Sequence, residues 1–432
     1  MRILCTGDVH IGRRPSRLPR GLDPSACSAA AVWTDIVGRA AELRADVVVL
    51  TGDVVDRDNR FYEAYGPLEA GVRRLADAGV DVIAVAGNHD FDVFPRLASG
   101  LRRDRFHFLG RDGTWERLTL RRPGQPPVHF DGWSFPGQRV TTDPLETYRL
   151  PADGSTPVVG VLHTELDKSD SPYAPVASAA LRRVPAALWL LGHLHAPQLL
   201  DAASPPILYP GSPQGLGPDE TGRHGIWLVE LVPGRKPAFE FVPVARVRYD
   251  VVTVDLEGVS QPERFDEAAT EAIRRSLAAS APEFGPLKQV CCRLRLTGHT
   301  PLHGKLDERI AALVADLEVP FDSVVARVER VIRDTAPAVD LTELARSPDT
   351  ATGILAGFLL QLQADPLPPD AARVLDEALR KMDDVYRSRC HADLRAISKY
   401  AAPPDRAMAA EALERQGRSL LAALLAQKSG VA

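Results

Sequence analysis

Short apolar runs alternate with helical periodicities through the first half of the chain. Positions 2–6, 46–51, 81–86, 157–162, 188–191, 207–209 and 225–231 read as strands. Val47-Val48-Val49-Leu50 and Val82-Ile83-Ala84-Val85 are unbroken apolar runs, the mark of strands covered on both faces. Helical periodicity fills 28–43 and 62–78, the second segment closed by Gly79. Such alternation predicts an α/β layered fold, with helices flanking the sheets. Beyond 232–237 the pattern changes. Strands at 249–256, 288–296 and 323–333 enclose helices at 261–278 and 302–317, a small α/β unit of its own. From 336 the periodicity is helical, broken at 365–369 and 401–404 by proline-rich turns. Ile354, Leu355, Phe358, Leu359 and Leu362 share one helical face, and Met408, Leu413, Leu420 and Leu424 another. Three modules are expected: 1–245, 246–335 and 336–432.

Composition narrows the class without naming a function. A chain of 432 residues, 45% hydrophobic and 25% charged, can build several cores and is not a disordered tail. Its net charge of -5, from 52 basic and 57 acidic residues, lacks the overall basic signature of many nucleic-acid binders. The five cysteines (5, 27, 291, 292 and 390) show no CxxC spacing, which points to a reduced, cytoplasmic setting. No charged segment leading into an apolar one opens the chain, and 353–362, its most apolar stretch, is short of the ~20 residues a bilayer needs. A soluble protein with no membrane partner is expected. Cys291 and Cys292, with His299 and His303 nearby, invite a zinc reading. Neighbouring residues on a strand point to opposite faces, so one buried and one exposed cysteine is expected instead.

The eleven histidines matter by position. Gly7-Asp8-Val9-His10 follows the first strand, Gly52-Asp53-Val54-Val55-Asp56-Arg57 the second, and Gly87-Asn88-His89-Asp90 the third. Later, His163 ends one strand and Gly192-His193-Leu194-His195 follows another. Singly these are weak signals, since an aspartate after a strand commonly caps a helix and a lone histidine commonly sits satisfied in a core. As a set, each member lies where open α/β sheets bind ligands, beyond the carboxyl ends of strands. The glycines allow positive φ and close backbone approach at those turns. Carboxylate, imidazole and amide ligands without thiolates suit manganese, iron or zinc. Two such ions ~3.5–4 Å apart can clamp a phosphoryl group for in-line attack.

These boxes resemble the calcineurin-like metallophosphoesterase family, and in detail its DNA-repair exonuclease branch, the SbcD type. The resemblance implies a layered sandwich of mixed sheets flanked by helices, with a small α/β capping domain and a C-terminal helical region. It implies two divalent ions, manganese being the expected metal. Asp8, His10, Asp53 and His195 would hold one, and Asp53, as a bridge, with Asn88, His163 and His193 the other. His89 would meet the phosphate and protonate the leaving oxygen in its charged form, favoured by a carboxylate partner, with Asp56 orienting it. Implied partners are DNA, a second copy of the chain and an SbcC-type coiled-coil ATPase gripped by the C-terminal helices.

Two other readings compete. Asp53-Val54-Val55-Asp56-Arg57 also resembles the GDxVDRG box of serine/threonine phosphatases, whose arginine grips phosphate. A phosphatase or small-molecule phosphodiesterase is therefore an alternative, although Asp8-Val9-His10-Ile11-Gly12 follows the nuclease-like DxHxG form and Asp58 replaces the box glycine. A DNA-end-binding scaffold with vestigial chemistry is the third, opposed by ligand positions that are all filled. Arg13, Arg14, Arg17 and Arg20 follow the first box within ten residues and, with Arg57, are candidates for phosphate-backbone contacts. Arg102, Arg103 and Arg105, with Arg111, Arg117, Arg121 and Arg122, form a second basic group that reads equally as a solvated face.

Overall fold

The computed structural model describes residues 1–19, 21–56, 62–101, 104–151, 154, 156–388, 391 and 402–428. Arg20, Arg57, Arg102, Arg103 and Cys390 lie outside them. Two compact units emerge. One comprises Met1–Val252, Ile273–Arg293 and Leu317–Arg330; the other comprises Thr253–Ala272, Leu294–Asp316 and Val331–Ala432.

The first unit is built on two mixed six-stranded sheets. In the first sheet β1 (Arg2–Thr6), β2 (Val47–Leu50), β3 (Asp81–Ala84) and β4 (Phe106–Phe108) run parallel. On its other side β11 (Gly225–Glu230) and β12 (Ala238–Pro243) add antiparallel pairs. The second sheet has the order β5-β6-β7-β8-β10-β9. Its strands are β5 (Glu116–Leu120), β6 (Val128–Trp133), β7 (Val158–His163), β8 (Leu188–Gly192), β9 (Gln198–Leu200) and β10 (Ile207–Tyr209).

Strand alternation explains the layering. Ile3, Cys5, Val47, Val49, Ile83 and Val85 of the first sheet pack with Val159, Val161, Leu188, Leu190 and Leu208 of the second, forming the central core. The intervening Leu4, Val48, Leu50, Val82 and Ala84 face the opposite way. There they meet Val32, Trp33, Ile36 and Ala40 of α1 (Ala29–Glu42) and Leu68, Val72 and Leu75 of α2 (Tyr62–Asp77). Ser28 caps α1 by accepting the Ala31 amide at 3.3 Å. Leu162, Trp189, Leu191, Ile207 and Tyr209 cover the outer face of the second sheet with Val176 and Leu181. The expected layered α/β fold is what forms.

The strands β13 (Val247–Asp255), β14 (Gln289–Thr297), β16 (Glu318–Phe321) and β17 (Val324–Arg333) make a four-stranded sheet of order β13-β14-β17-β16. The two-residue strands β15 (His299–Thr300) and β18 (Ala336–Pro337) pair separately. Cys291 and Cys292 are both buried, against the expectation of one exposed. Cys291 packs with Cys27, Val247 and Tyr249, and Cys292, the next residue on the strand and so on its opposite face, is equally buried: both faces of β14 are covered at this point.

The helices after 340 pack on one another. Ala356 and Leu359 of Ala351–Leu362 and Leu421 of the final helix, Arg406–Lys428, form a small core with Leu341. Ile354, Met408 and Leu420, expected on apolar packing faces, are exposed instead. The final helix buries the stripe through Ala409 and Leu421, where small and branched side chains let it approach its neighbours. No helix among the described residues is long and apolar enough to cross a membrane.

Candidate metal centre

Five turns at the carboxyl ends of β1, β2, β3, β7 and β8 converge. The first two stay in register past their strands: the Asp8 amide donates to the Gly52 carbonyl, His10 to Asp53, and Ile11 to Val54, each at 2.9–3.0 Å. Asp8, His10 and Asp53 sit at φ of 50°, 51° and 48°, and His193 at 102°. Positive φ at four non-glycine residues is local strain of the kind held at functional sites by surrounding structure.

Among the described residues, three groups of side chains could each grasp a cation: Asp8, His10 and His195; His10, Asp56 and His89; and Asp8, Asp53 and His163. The amide oxygen of Asn88 lies 3.0 Å from His163 Nε2, and Asp53 Oδ2 lies 3.4 Å from it. The ring of His193 is 5.4 Å from that of His163. Every proposed ligand and His89 thus fall in one cluster, with Asp8 and Asp53 standing between the two histidine sets. Asp56 lies 3.4 Å from His10 Nδ1 and is reached by Arg13 at 3.8 Å.

The donor set fits divalent cations. His163 Nδ1 faces the Thr51 carbonyl at 3.1 Å, an acceptor, so that nitrogen carries the proton. The lone pair of Nε2 then confronts oxygens of Asn88 and Asp53, an arrangement that a cation resolves. His10 is buried with neither ring nitrogen hydrogen-bonded. Buried carboxylates and orphaned imidazoles are costly unless they coordinate metal or pair.

Electrostatics show the same crowding of charge. Burial raises the Asp8 carboxyl above its usual range against the pull of His163 and His195. Burial also acts to raise Asp53, but His163, His10 and His89 outweigh it and leave it lowered. His193 is brought down to about 4 by burial and by His163. His195 moves up to about 9: burial opposes this, and hydrogen bonding to Glu220 with the charge of Asp8 overcomes it. His89 departs from expectation. Burial depresses it below the usual imidazole value, and the charges of Asp53 and Asp56 do not restore it.

Four contributors were not assigned from sequence. Asp90 is fully buried and accepts amides from Val54 (2.7 Å), Val55 (3.3 Å) and Gly87 (2.8 Å), tying the second and third turns together. Its presence in GNHD was legible, but its partners were not. Glu165 approaches His193 Nε2 at 3.9 Å, and Tyr173 stacks on the same ring at 4.8 Å. Gly192 is required by space rather than by φ. A Cβ there would lie 2.1 Å from the Thr51 carbonyl oxygen and 2.6 Å from His163 Nδ1. Gly192→Ala is expected to displace His163 and destabilise the fold by ~1–3 kcal/mol, as overpacking does. An unchanged melting temperature in that variant would show that the turn relaxes freely.

The candidate DNA contacts are less clustered. Arg13 stands beside Asp56, Arg14 is exposed, and Arg17 reaches Glu329 at 3.7 Å. Arg105 and Arg122 pair with buried Asp81, and Arg117 with buried Asp131 (2.6 Å), so much of the second basic group serves structural ion pairs. The remaining histidines have structural neighbours: His107 meets Asp81, His129 Thr119, His224 Ser212, His299 Glu257, His303 Thr335, and His391 the ring of Tyr386.

Residues 1–197 match the family model of calcineurin-like phosphoesterases, and residues 249–336 that of the middle domain of metallophosphoesterase YhaO. The chain is 26% identical over 286 residues to YhaO of Bacillus subtilis, a metallophosphoesterase described as uncharacterized, covering 64% of this chain and 67% of that protein. It is 28% identical over 290 residues to the DNA double-strand break repair protein Mre11 of Aeropyrum pernix, covering 64% and 68%. To the protein of that name from Methanopyrus kandleri it is 25% identical over 304 residues, covering 64% and 63%.

Proposed function

We propose, on the premise that the chain belongs through residues 1–197 to the calcineurin-like phosphoesterase family, that it is a two-metal DNA phosphodiesterase. In this reading it is a 3′–5′ exonuclease on duplex ends with endonuclease activity on single strands. It works in cytoplasmic DNA repair as a homodimer with an SbcC-type ATPase. The observation that carries the metal chemistry is His163, whose proton is committed to Thr51 while its other nitrogen faces Asn88 and Asp53. The likeness to proteins described as acting in DNA double-strand break repair, and the DxHxG form of the first box, support DNA as substrate.

Asp8, His10, Asp53 and His195 would hold one ion, and Asp53, Asn88, His163 and His193 the other, with manganese proposed for both. Such a pair supplies Lewis acidity at the phosphoryl oxygens and lowers the pKa of an attacking water. The chain's own residues do the rest. Asp53 Oδ1 accepts the His89 amide at 2.8 Å, so the carboxylate that would hold both ions also sets the backbone that carries His89. His89 lies against His10, ring centroids 5.0 Å apart, where it can donate to the leaving oxygen. A bound phosphodiester brings the negative charge that favours the protonated ring. Asp56 is placed to steady this corner, and Arg13, Arg14, Arg17, Arg20 and Arg57 are proposed to meet the phosphate backbone. The 246–335 module would orient DNA, and 336–432 would engage the ATPase.

With manganese, the purified protein is expected to degrade linear duplex DNA faster than it hydrolyses nucleotide monoesters or phosphopeptides. The opposite order favours the second reading, a phosphatase or small-molecule phosphodiesterase, which the Gly52–Arg57 box supports. DNA-end binding without hydrolysis of any of these would instead favour a scaffold.

A further inference from the structure

Glu220 lies between β10 and β11, outside all three groups of candidate ligands. Its Oε1 is 3.1 Å from His195 Nδ1. Its Oε2 accepts the Leu216 amide at 3.1 Å and stands 3.4 Å from Ser212 Oγ. The segment leading to it is fixed at two points. The Ser212 amide donates to the His195 carbonyl at 2.9 Å, and the Ser16 amide donates to the Leu216 carbonyl at 3.0 Å. The carboxylate is thus presented to the imidazole from a rigid support.

The consequence lies in the imidazole. A half-buried histidine can flip its ring and can carry its proton on either nitrogen, and only some of those states offer a lone pair to a cation. A carboxylate opposite Nδ1 is an acceptor, so Nδ1 keeps its proton. Nε2 is then the nitrogen turned towards Asp8, 3.9 Å from Oδ1. His163 is oriented in the same sense, but by the neutral carbonyl of Thr51. The His195 side therefore has the stronger, charge-assisted support.

We propose that Glu220 is a positioning residue that locks His195 with Nδ1 protonated and Nε2 facing the carboxylates, and so sets the affinity of one of the two cation sites. This rests on the metal-centre reading above. The test uses the full chain stripped of metal, titrated with manganese by calorimetry as wild type, Glu220→Ala and Glu220→Gln. Glu220→Ala is expected to weaken one site by about 10–100-fold, the usual cost of losing such a partner, and to spare the other. Glu220→Gln keeps an acceptor oxygen and should recover most of that loss. Wild-type affinity in Glu220→Ala, or equal weakening of both sites, overturns the inference. So does a neutral His195 ring, examined by nitrogen NMR in the metal-free wild type above the pH at which the imidazole gives up its second proton, that keeps the remaining proton on Nε2, a readout that needs no variant to fold. Wild-type protein that takes up no manganese overturns the metal-centre reading itself, and this inference with it.

Discussion

Asp53→Ala is expected to lose both metal ions together and to lower DNA cleavage by at least about a thousandfold. The magnitude follows from a metal clamp worth several kcal/mol, at ~1.4 kcal/mol per decade of rate. The physical case is local. Asp53 is buried, one carboxylate oxygen receives the His89 amide, and the other faces His163. Removing it leaves His163 and Asn88 without the charge that balances a cation and frees the turn that carries His89. Manganese content by elemental analysis decides the matter when set beside Asp8→Ala. Asp8 is shared between the histidine sets as well, accepting the His193 amide at 3.1 Å and facing His195. If Asp53 is the bridge, Asp8→Ala retains one ion and Asp53→Ala none. The reverse pattern transfers the bridging role to Asp8, and two ions retained in Asp53→Ala refute it.

The second large effect concerns His89. His89→Gln is expected to reduce cleavage by about 10²–10⁴-fold, the range associated with a positioned proton donor, while both ions stay bound. Its backbone amide still reaches Asp53, because that bond does not involve the side chain. Leaving-group dependence separates the proton-transfer role from simple damage. A substrate whose departing group needs no protonation, such as a nitrophenyl phosphodiester, should lose far less activity than DNA. Full activity on DNA would sink the assignment, and loss of metal would recast His89 as a ligand.

Much of the fold was legible because its signals are local. β1 and β10 stand where the apolar runs place them, and Ser28 announces α1. β4, β5, β6 and β12 were not anticipated. Glu116–Leu120 opens on two consecutive charged residues at a sheet edge, and Val128–Trp133 carries His129, Asp131 and Gly132 inside a buried strand. Asp131 is tolerated there because Arg117 and Tyr148 both reach it, at 2.6 Å each. A partner supplied by another strand and a distant loop leaves no trace in the local pattern.

The same distinction runs through the candidate site. The ligand types, their positions at strand ends and the glycines beside them are short-range properties, and the sequence by itself determined them. Which nitrogen of His163 faces the carboxylates depends on Thr51, 112 positions away, and the orientation of His195 depends on a loop anchored through Leu216 to Ser16. The depression of His89 depends on how completely its neighbours exclude water. Those were decided by tertiary structure alone, because tautomer, burial and mutual distance arise only when separate strands are brought to one edge.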